Sequence, residues 1–429
     1  MSGGTALRIA LAAGGTGGHM VPAHALDREL RRRGHATLLV TDPRGTALPG
    51  LFEDVETHLL DSGRMSGNAM QKLGASVRIL LNTRRARGLL KQTAPDALVG
   101  FGGYPSLAAG LAAASLGIPI CLHEQNAVLG RANRLLVRAC RALALSFPDT
   151  AQVPADARRK AVLTGNPVRA VVAAIAQEPC PTLDEDCAIR LLVVGGSLGA
   201  RILADVVPDA LALLPPALTS RLAVTQQCRN ADLERVLARY RAAGITAELA
   251  PYFADLPDRL ALSHLVIARA GASTIAELTA AGRPAILVPL AIATDDHQTV
   301  NARALADAGG AWVIAEADFT PRELAKRLHA LLLAPARLAE AATAARRLGR
   351  PDAAAALADL VERVAQARAS SVPGGSQDAR RARPSRRSSE PPQGERTEVL
   401  QENPFVLSPS KDERKGVTAL FGVGCEVVR

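Results

Sequence analysis

Residues 8–23 read RIALAAGGTGGHMVPA, and residues 190–204 read RLLVVGGSLGARILA. In each, a short apolar run breaks at a glycine-rich turn and resumes with helical spacing. That is a buried strand, a loop and a helix. Working outward from 8–23, further apolar runs fall at Ala36–Val40, Ala97–Gly100, Ile118–Leu122 and Ala142–Ser146. Outward from 190–204 they fall at Ala223–Gln227, Ala247–Ala250, Leu265–Ala268 and Ala285–Pro289. Longer helical patterns separate them. This alternation predicts an α/β fold with two doubly wound, Rossmann-like parallel sheets, whose ligand loops lie at the carboxyl ends of the strands. The break falls near Gly165–Asp186, which divides the chain into 1–165, 166–369 with closing helices, and a basic tail, 370–429. The tail carries RRARPSRR with serine and proline clusters and little apolar periodicity, so it is expected to be disordered.

A length of 429 residues allows two or three domains, each with its own core. Aromatic residues are only 3%, which speaks against readers that stack nucleic-acid bases on aromatic platforms. Formal charge is +10, so anionic partners such as phosphates or a lipid surface are favoured. Cys121, Cys140, Cys180, Cys187, Cys228 and Cys425 show no metal-type spacing and read as thiols of a reducing compartment. Leu7–Ala13 runs into a glycine loop instead of a cleavage site, which argues against an export signal. The uncharged stretch Ala97–Leu122 is long enough to span a bilayer, but Gly100, Gly102, Gly103, Pro105, Gly117 and Pro119 cut it into core elements.

Several constellations carry candidate chemistry. The loop Gly14–His19 can converge backbone N–H groups on an anion at a helix N-terminus, and Gly195–Ala200 makes the same offer from the other half. Thr274 and Glu277 have capping-box spacing; alternatively, Glu277 accepts hydrogen bonds from ribose hydroxyls while the N–H groups before it face phosphate. His123-Glu124-Gln125-Asn126 ends a buried strand, a place where polar residues line sites. Thr294–Gln298 with Asn301 forms a polar cluster after a core strand; Asp295 and Asp296 lack a third oxygen donor and are read as loop residues, not metal ligands. From Ser62 to Pro95 run Arg64, Lys72, Arg78, Arg84, Arg85, Arg87 and Lys91 without an acid, beside Met70, Leu73, Val77, Leu80 and Leu81. Such a helix either lies on an anionic bilayer or packs its apolar face on the core.

Taken in order, GGTGGH, GFGGYPS (100–106), HEQNAVLGRAN (123–133), GNPVR (165–169), GGSLGA, RAGASTIAEL (269–278) and DDHQTVNA (295–302) closely resemble the MurG family of peptidoglycan glycosyltransferases, over about residues 5–365. The resemblance implies a GT-B architecture, with UDP-N-acetylglucosamine held largely by the second domain and an undecaprenyl-linked muramyl pentapeptide by the first. It places Thr16, Gly17, Gly18, Asn126 and Arg169 near the donor and its diphosphate, and Ser197 on the diphosphate. Phe253 would lie beside uracil, Ala272, Ser273, Thr274 and Glu277 would receive phosphate and ribose, and Gln298 would bond the sugar. The expected reaction is an inverting displacement by the muramyl 4-hydroxyl, with His19 as first choice of base and Glu124 as second. No cofactor or obligatory metal is implied, and no nucleic acid. Anionic inner-leaflet lipids, at the cytoplasmic face of the inner membrane, and other cell-wall or division proteins are the implied partners. Two other readings compete: a nicotinamide-dependent oxidoreductase with Asp42 on the adenine ribose, and a non-catalytic UDP-sugar scaffold.

Overall fold

Seven parallel strands make the first sheet: β1 (Arg8–Ala12), β2 (Ala36–Thr41), β3 (Glu56–Leu59), β4 (Ala97–Gly100), β5 (Ile120–Glu124), β6 (Ala142–Leu145) and β7 (Ala161–Leu163). Their spatial order is β3-β2-β1-β4-β5-β6-β7. The second sheet holds β8 (Ile189–Val194), β9 (Leu222–Gln227), β10 (Thr246–Ala250), β11 (Leu265–Ala268), β12 (Ala285–Leu287) and β13 (Ala311–Val313), again all parallel, in the order β10-β9-β8-β11-β12-β13. This computed structural model describes residues 6–15, 17–46, 50–61, 69–196 and 200–370, without the side chains of 69–75, 294 and 368–370. Thr16, Ser197 and the expected disordered tail beyond Ser370 lie outside the described residues.

The central strands are apolar on both faces because helices cover both. Ile9, Leu11, Val99 and Cys121 pack on one side of the first sheet, and Ala10, Leu38, Leu98 and Leu122 on the other. Chain order reverses between β1 and β4 and between β8 and β11, so each sheet opens a crevice at the end of its first strand. Gly14 and Gly15 after β1, and Gly195 and Gly196 after β8, sit at those two points. The final helix, Ala353–Ser370, expected among the closing helices of the second lobe, packs on the first instead. Leu357, Leu360, Val361 and Val364 join the cluster around Ile9 and Leu11. Arg33 pairs there with Glu362 (3.0 Å) and Asp359 (2.6 Å). Each large apolar side chain so buried contributes about 1.5–3 kcal/mol.

Helix α1 (Gly17–Arg32) follows the first glycine loop, and α2 (Ala69–Thr93) runs through the cationic segment. Helix α2 turns Ala86 and Leu90 inward, whereas Val77, Leu80 and Leu81 are 50%, 59% and 52% exposed, with Arg78, Arg84 and Arg85 exposed beside them. The described apolar residues of this stripe thus face out, against the core-facing alternative. Met70, Lys72 and Leu73 carry no described side chains, and Arg64 lies outside the described residues. Among the described residues, no helix is long and apolar enough to cross a membrane.

Candidate active site

The first glycine loop is locked against the turn after β4. Gly103 has φ +80°, and a Cβ there would meet the Gly14 carbonyl oxygen at 2.9 Å. Gly102 has φ +95°, and a Cβ there would lie 3.1 Å from His19 Nε2. Glycine at 102 therefore keeps the imidazole edge clear. Nδ1 of His19 lies 2.9 Å from the Gly14 carbonyl, which can only accept, so Nδ1 carries the proton and Nε2 is left as a base. Burial lowers the His19 pKa below its ordinary 6.5, against upward pulls from that hydrogen bond and from Glu124. Nε2 is thus unprotonated at neutral pH. Gly17 and Gly18 open α1, where backbone N–H groups have no intrahelical partner.

His19 lines a cavity of about 360 Å³ together with Tyr104, Leu107, Glu124, Asn126, Arg131 and Leu135 of the first lobe, closed by Asp295 and His297 of the second. The tetrad at the end of β5 alternates. His123 Nε2 donates to the Gly165 carbonyl (3.0 Å) and its Nδ1 accepts from Gln125 Nε2 (3.1 Å). Burial holds this imidazole neutral, with a pKa of about 4. Glu124 turns the other way and is saturated. Oε1 accepts from Asn126 N (3.0 Å) and Nδ2 (3.3 Å), and Oε2 from Gly130 N and Asn133 Nδ2 (both 2.8 Å). A carboxylate with four donors already placed on it organises a wall; it is poorly set to take a substrate proton.

Across the cleft, the helix Ala272–Ala281 starts from Gly271, which supplies no side-chain cap. The capping box is therefore excluded: Thr274 is the third helical residue, and Glu277 lies one turn further on. Ser273 Oγ in this first turn is buried with no hydrogen-bond partner among the described residues. Uncapped N–H groups and an unpaired hydroxyl at a helix N-terminus suit a phosphate oxygen. Arg169 does not stand free for the diphosphate. Its Nε and Nη2 both reach Glu277 Oε1, at 3.2 and 3.0 Å. Burial raises the Glu277 pKa, and Arg169 opposes that rise. The pair borders a small cavity of about 30 Å³ with Thr274, Leu256, Pro257 and Leu260.

The remaining expected contacts are scattered around these two centres. Phe253 is buried, and the Arg259 guanidinium covers one ring face at 4.3 Å from the centroid, which leaves an edge to offer a base. Gln298, in the first turn of the helix His297–Asp307, accepts from Leu290 N through Oε1 (3.0 Å) and so braces the preceding turn. Asp42 is consumed by the glycine loop. It accepts from Gly15 N (3.4 Å), Arg44 N (3.1 Å) and Gly45 N (3.2 Å), and pairs with Arg44 Nη2 (2.6 Å). An adenine ribose finds no free carboxylate there, which removes the basis of the oxidoreductase reading.

Residues 9–145 match the glycosyltransferase family 28 N-terminal domain, and residues 190–362 match the family 28 C-terminal domain. A UDP-N-acetylglucosamine–N-acetylmuramyl-(pentapeptide) pyrophosphoryl-undecaprenol N-acetylglucosamine transferase of Zymomonas mobilis is 53% identical over 354 residues, covering 82% of this chain and 92% of its own. The chain belongs to the MurG family. A like-named protein of Rhodospirillum rubrum is 50% identical over 372 residues, covering 86% of this chain and 94% of its own. The crystal structure of Acinetobacter baumannii MurG superposes with a TM-score of 0.68 at 32% identity, over 83% of this chain and 99% of that one. The fold is shared more widely still: a glycotransferase of kitacinnamycin superposes at 0.60 with 19% identity. Within the MurG family architecture, two features here escaped sequence reasoning, the Arg169–Glu277 pair and the engagement of Asn301 described below. Both join residues more than a hundred positions apart, and no local spacing signals them.

Proposed function

We propose that this chain transfers N-acetylglucosamine from UDP-N-acetylglucosamine to the muramyl 4-hydroxyl of an undecaprenyl-diphosphate-linked pentapeptide, giving the β-linked disaccharide lipid of peptidoglycan synthesis. The observation that carries this reading is the placement of His19. Its free Nε2 faces a cavity walled by both lobes, with the uncapped Ala272–Ala281 helix at the end of β11. In the displacement, the 4-hydroxyl oxygen bonds to the anomeric carbon as the bond to the UDP oxygen breaks, and Nε2 takes the hydroxyl proton. Charge building on UDP meets the N–H groups of Ala272–Thr274 and Ser273 Oγ, donors that need no reorganisation as the bond breaks. Glu277 offers its second oxygen to the ribose, while Arg169 holds the first and opposes the rise in pKa that burial causes. Glu124 shapes the acceptor wall, Asn126 stands between that wall and the donor lobe, and Gln298 steadies the turn that leads to Asp295.

The acceptor is a sugar, a diphosphate and a polyprenyl chain in sequence, and the cavity offers a matching order. His19 lies on the sugar side, Arg131 supplies a cation, and Leu135, one turn on and 60% exposed, faces the hydrocarbon. The outward stripe Val77, Leu80 and Leu81 with Arg78, Arg84 and Arg85 suits the anionic cytoplasmic leaflet, each near-surface cation contributing about 1 kcal/mol. The test is transfer of radiolabelled N-acetylglucosamine to a lipid-linked muramyl acceptor. A wild-type chain that binds UDP but forms no labelled lipid would leave only the scaffold reading.

A further inference from the structure

Among the described residues, a fully buried amide hydrogen-bonds to both lobes. Asn301 lies in the helix His297–Asp307 of the second lobe and is 0% exposed. Its Oδ1 accepts from Ala127 N of the first lobe at 2.8 Å. Its Nδ2 donates to Asn126 Oδ1 of the first lobe at 3.1 Å and to the Ala270 carbonyl of its own lobe at 3.2 Å. Three of the amide's four hydrogen-bonding positions are thus filled from two separate chain segments, one in each lobe. Ala270 directly precedes Gly271, the N-cap of the helix offered to the donor phosphate. Asn126 passes the link to Glu124, and Glu124 passes it to Gly130 and Asn133 on the acceptor wall. The result is an unbroken line of hydrogen bonds from the donor end of the cleft to the acceptor end.

We propose that Asn301 is a positioning residue for the transfer, setting the acceptor wall in register with the donor helix; this rests on the glycosyl-transfer reading above. Two reactants held on different lobes react only if their atoms come within about 3–3.5 Å in line, and a displacement of 1 Å costs roughly 100-fold. Apolar packing between the lobes is non-directional and cannot supply that accuracy. An amide gripping two backbone groups and one side chain can. The ionic contacts at the cavity rim, Asp295 with Arg134 (2.5 Å) and with Arg131 (3.5 Å), add attraction between the lobes, but long side chains near water fix geometry weakly. Removing the Asn301 amide leaves the Ala127 N–H and Asn126 Oδ1 without partners, so the turn shifts to find new ones while each lobe keeps its own core.

The test compares full-length wild type with Asn301→Ala, Asn301→Asp and Asn301→Ser in lipid-acceptor transfer, with UDP binding by calorimetry and thermal melting alongside. For Asn301→Ala, turnover is expected to fall about 10- to 100-fold, with the UDP dissociation constant and the donor Michaelis constant within about twofold of wild type. Asn301→Asp, which cannot donate to Asn126 Oδ1 or the Ala270 carbonyl, is expected to fall as far. Asn301→Ser, retaining one donor and one acceptor on a shorter stem, is expected to recover part of the loss. Because Asn126 and Asn301 act in one line, the double Ala variant should be little worse than the poorer single. Unchanged turnover, a loss confined to the donor Michaelis constant, or fully additive effects with Asn126→Ala would each overturn the proposal. If Asn301→Ala does not fold, Asn301→Ser and the Asn126→Ala cycle decide the matter by the same criteria. Failure of the wild type itself to form labelled lipid would instead sink the transfer reading on which the proposal stands.

Discussion

Replacing Glu124 by Gln separates a wall-building carboxylate from a catalytic base. The two side chains have nearly the same volume, but Gln presents an NH₂ where Glu presents an acceptor oxygen. Whichever way the amide lies, one pair of donors, either Asn126 N with Nδ2 or Gly130 N with Asn133 Nδ2, then faces another donor. Two hydrogen bonds to a charged group are lost, at about 1.5–3 kcal/mol each, or roughly 3–6 kcal/mol together. If relaxation of the 126–133 segment recovers about half of this, turnover falls roughly 10- to 100-fold. The pH profile is the sharper readout. With His19 as the base, activity rises with pH through the His19 pKa, below 6.5, and the acid limb survives in Glu124→Gln. The Glu124 charge favours the imidazolium form, so its removal lowers the His19 pKa further and moves the limb to lower pH. His19→Ala, measured alongside, should abolish the limb and most of the turnover with little change in UDP affinity. Steady-state transfer rates between pH 4.5 and 8.5 provide the assay. An acid limb that vanishes in Glu124→Gln and persists in His19→Ala would refute the assignment.

Glu277→Ala should raise the donor Michaelis constant roughly 10- to 100-fold, the value of one or two hydrogen bonds to a charged group, with a smaller effect on turnover; an unaltered constant removes Glu277 from the ribose. Leu80→Asp with Leu81→Asp should weaken partitioning onto vesicles containing anionic lipid and leave transfer to a soluble acceptor analogue intact, and undiminished partitioning would put the docking face elsewhere. Acid should destabilise the fold well above the carboxylate range. Burial holds His123 and His264 at about 4, against 6.5 when unfolded, so between those values the unfolded chain binds more protons and stability falls as pH falls. Each contributes up to roughly 3 kcal/mol, and a denaturation midpoint unchanged from pH 7.5 to 5 would contradict this.

The central strands were legible because they are buried on both faces and read as plain apolar runs: Arg8–Ala12, Ala97–Gly100 and Leu265–Ala268 form where the pattern places them. The edge strands β3, β7 and β13 were not. They are three or four residues long and half-covered, so their pattern is that of a loop. Both glycine turns and the β5 tetrad stood out because such residues are unusual beside core strands. Their division of labour did not, since it rests on hydrogen-bond partners set by folding: the Gly165 carbonyl, 42 residues on, for His123, and the backbone of Gly130 and the amide of Asn133 for Glu124. Thr274 and Glu277 had the right spacing for a cap, but the helix begins earlier, at Ala272, because Gly271 already turns the backbone into it. Arg169 read as a free cation for the same reason that Asp42 read as a free acid. A partner that arrives only with tertiary folding leaves no local mark.

The return of the helix Ala353–Ser370 to the first lobe governs the order in which the protein can be finished during synthesis. The first sheet is complete once residue 163 has been made, yet the flank around Ile9, Leu11 and Cys121 waits for Leu357 and Val361. The second sheet, by contrast, is closed by nearby helices of its own, including Leu324 and Leu328 against Ile189 and Val193. The half that emerges from the ribosome earliest therefore matures last, and a chain cut short anywhere before residue 353 carries a raw apolar face that invites aggregation.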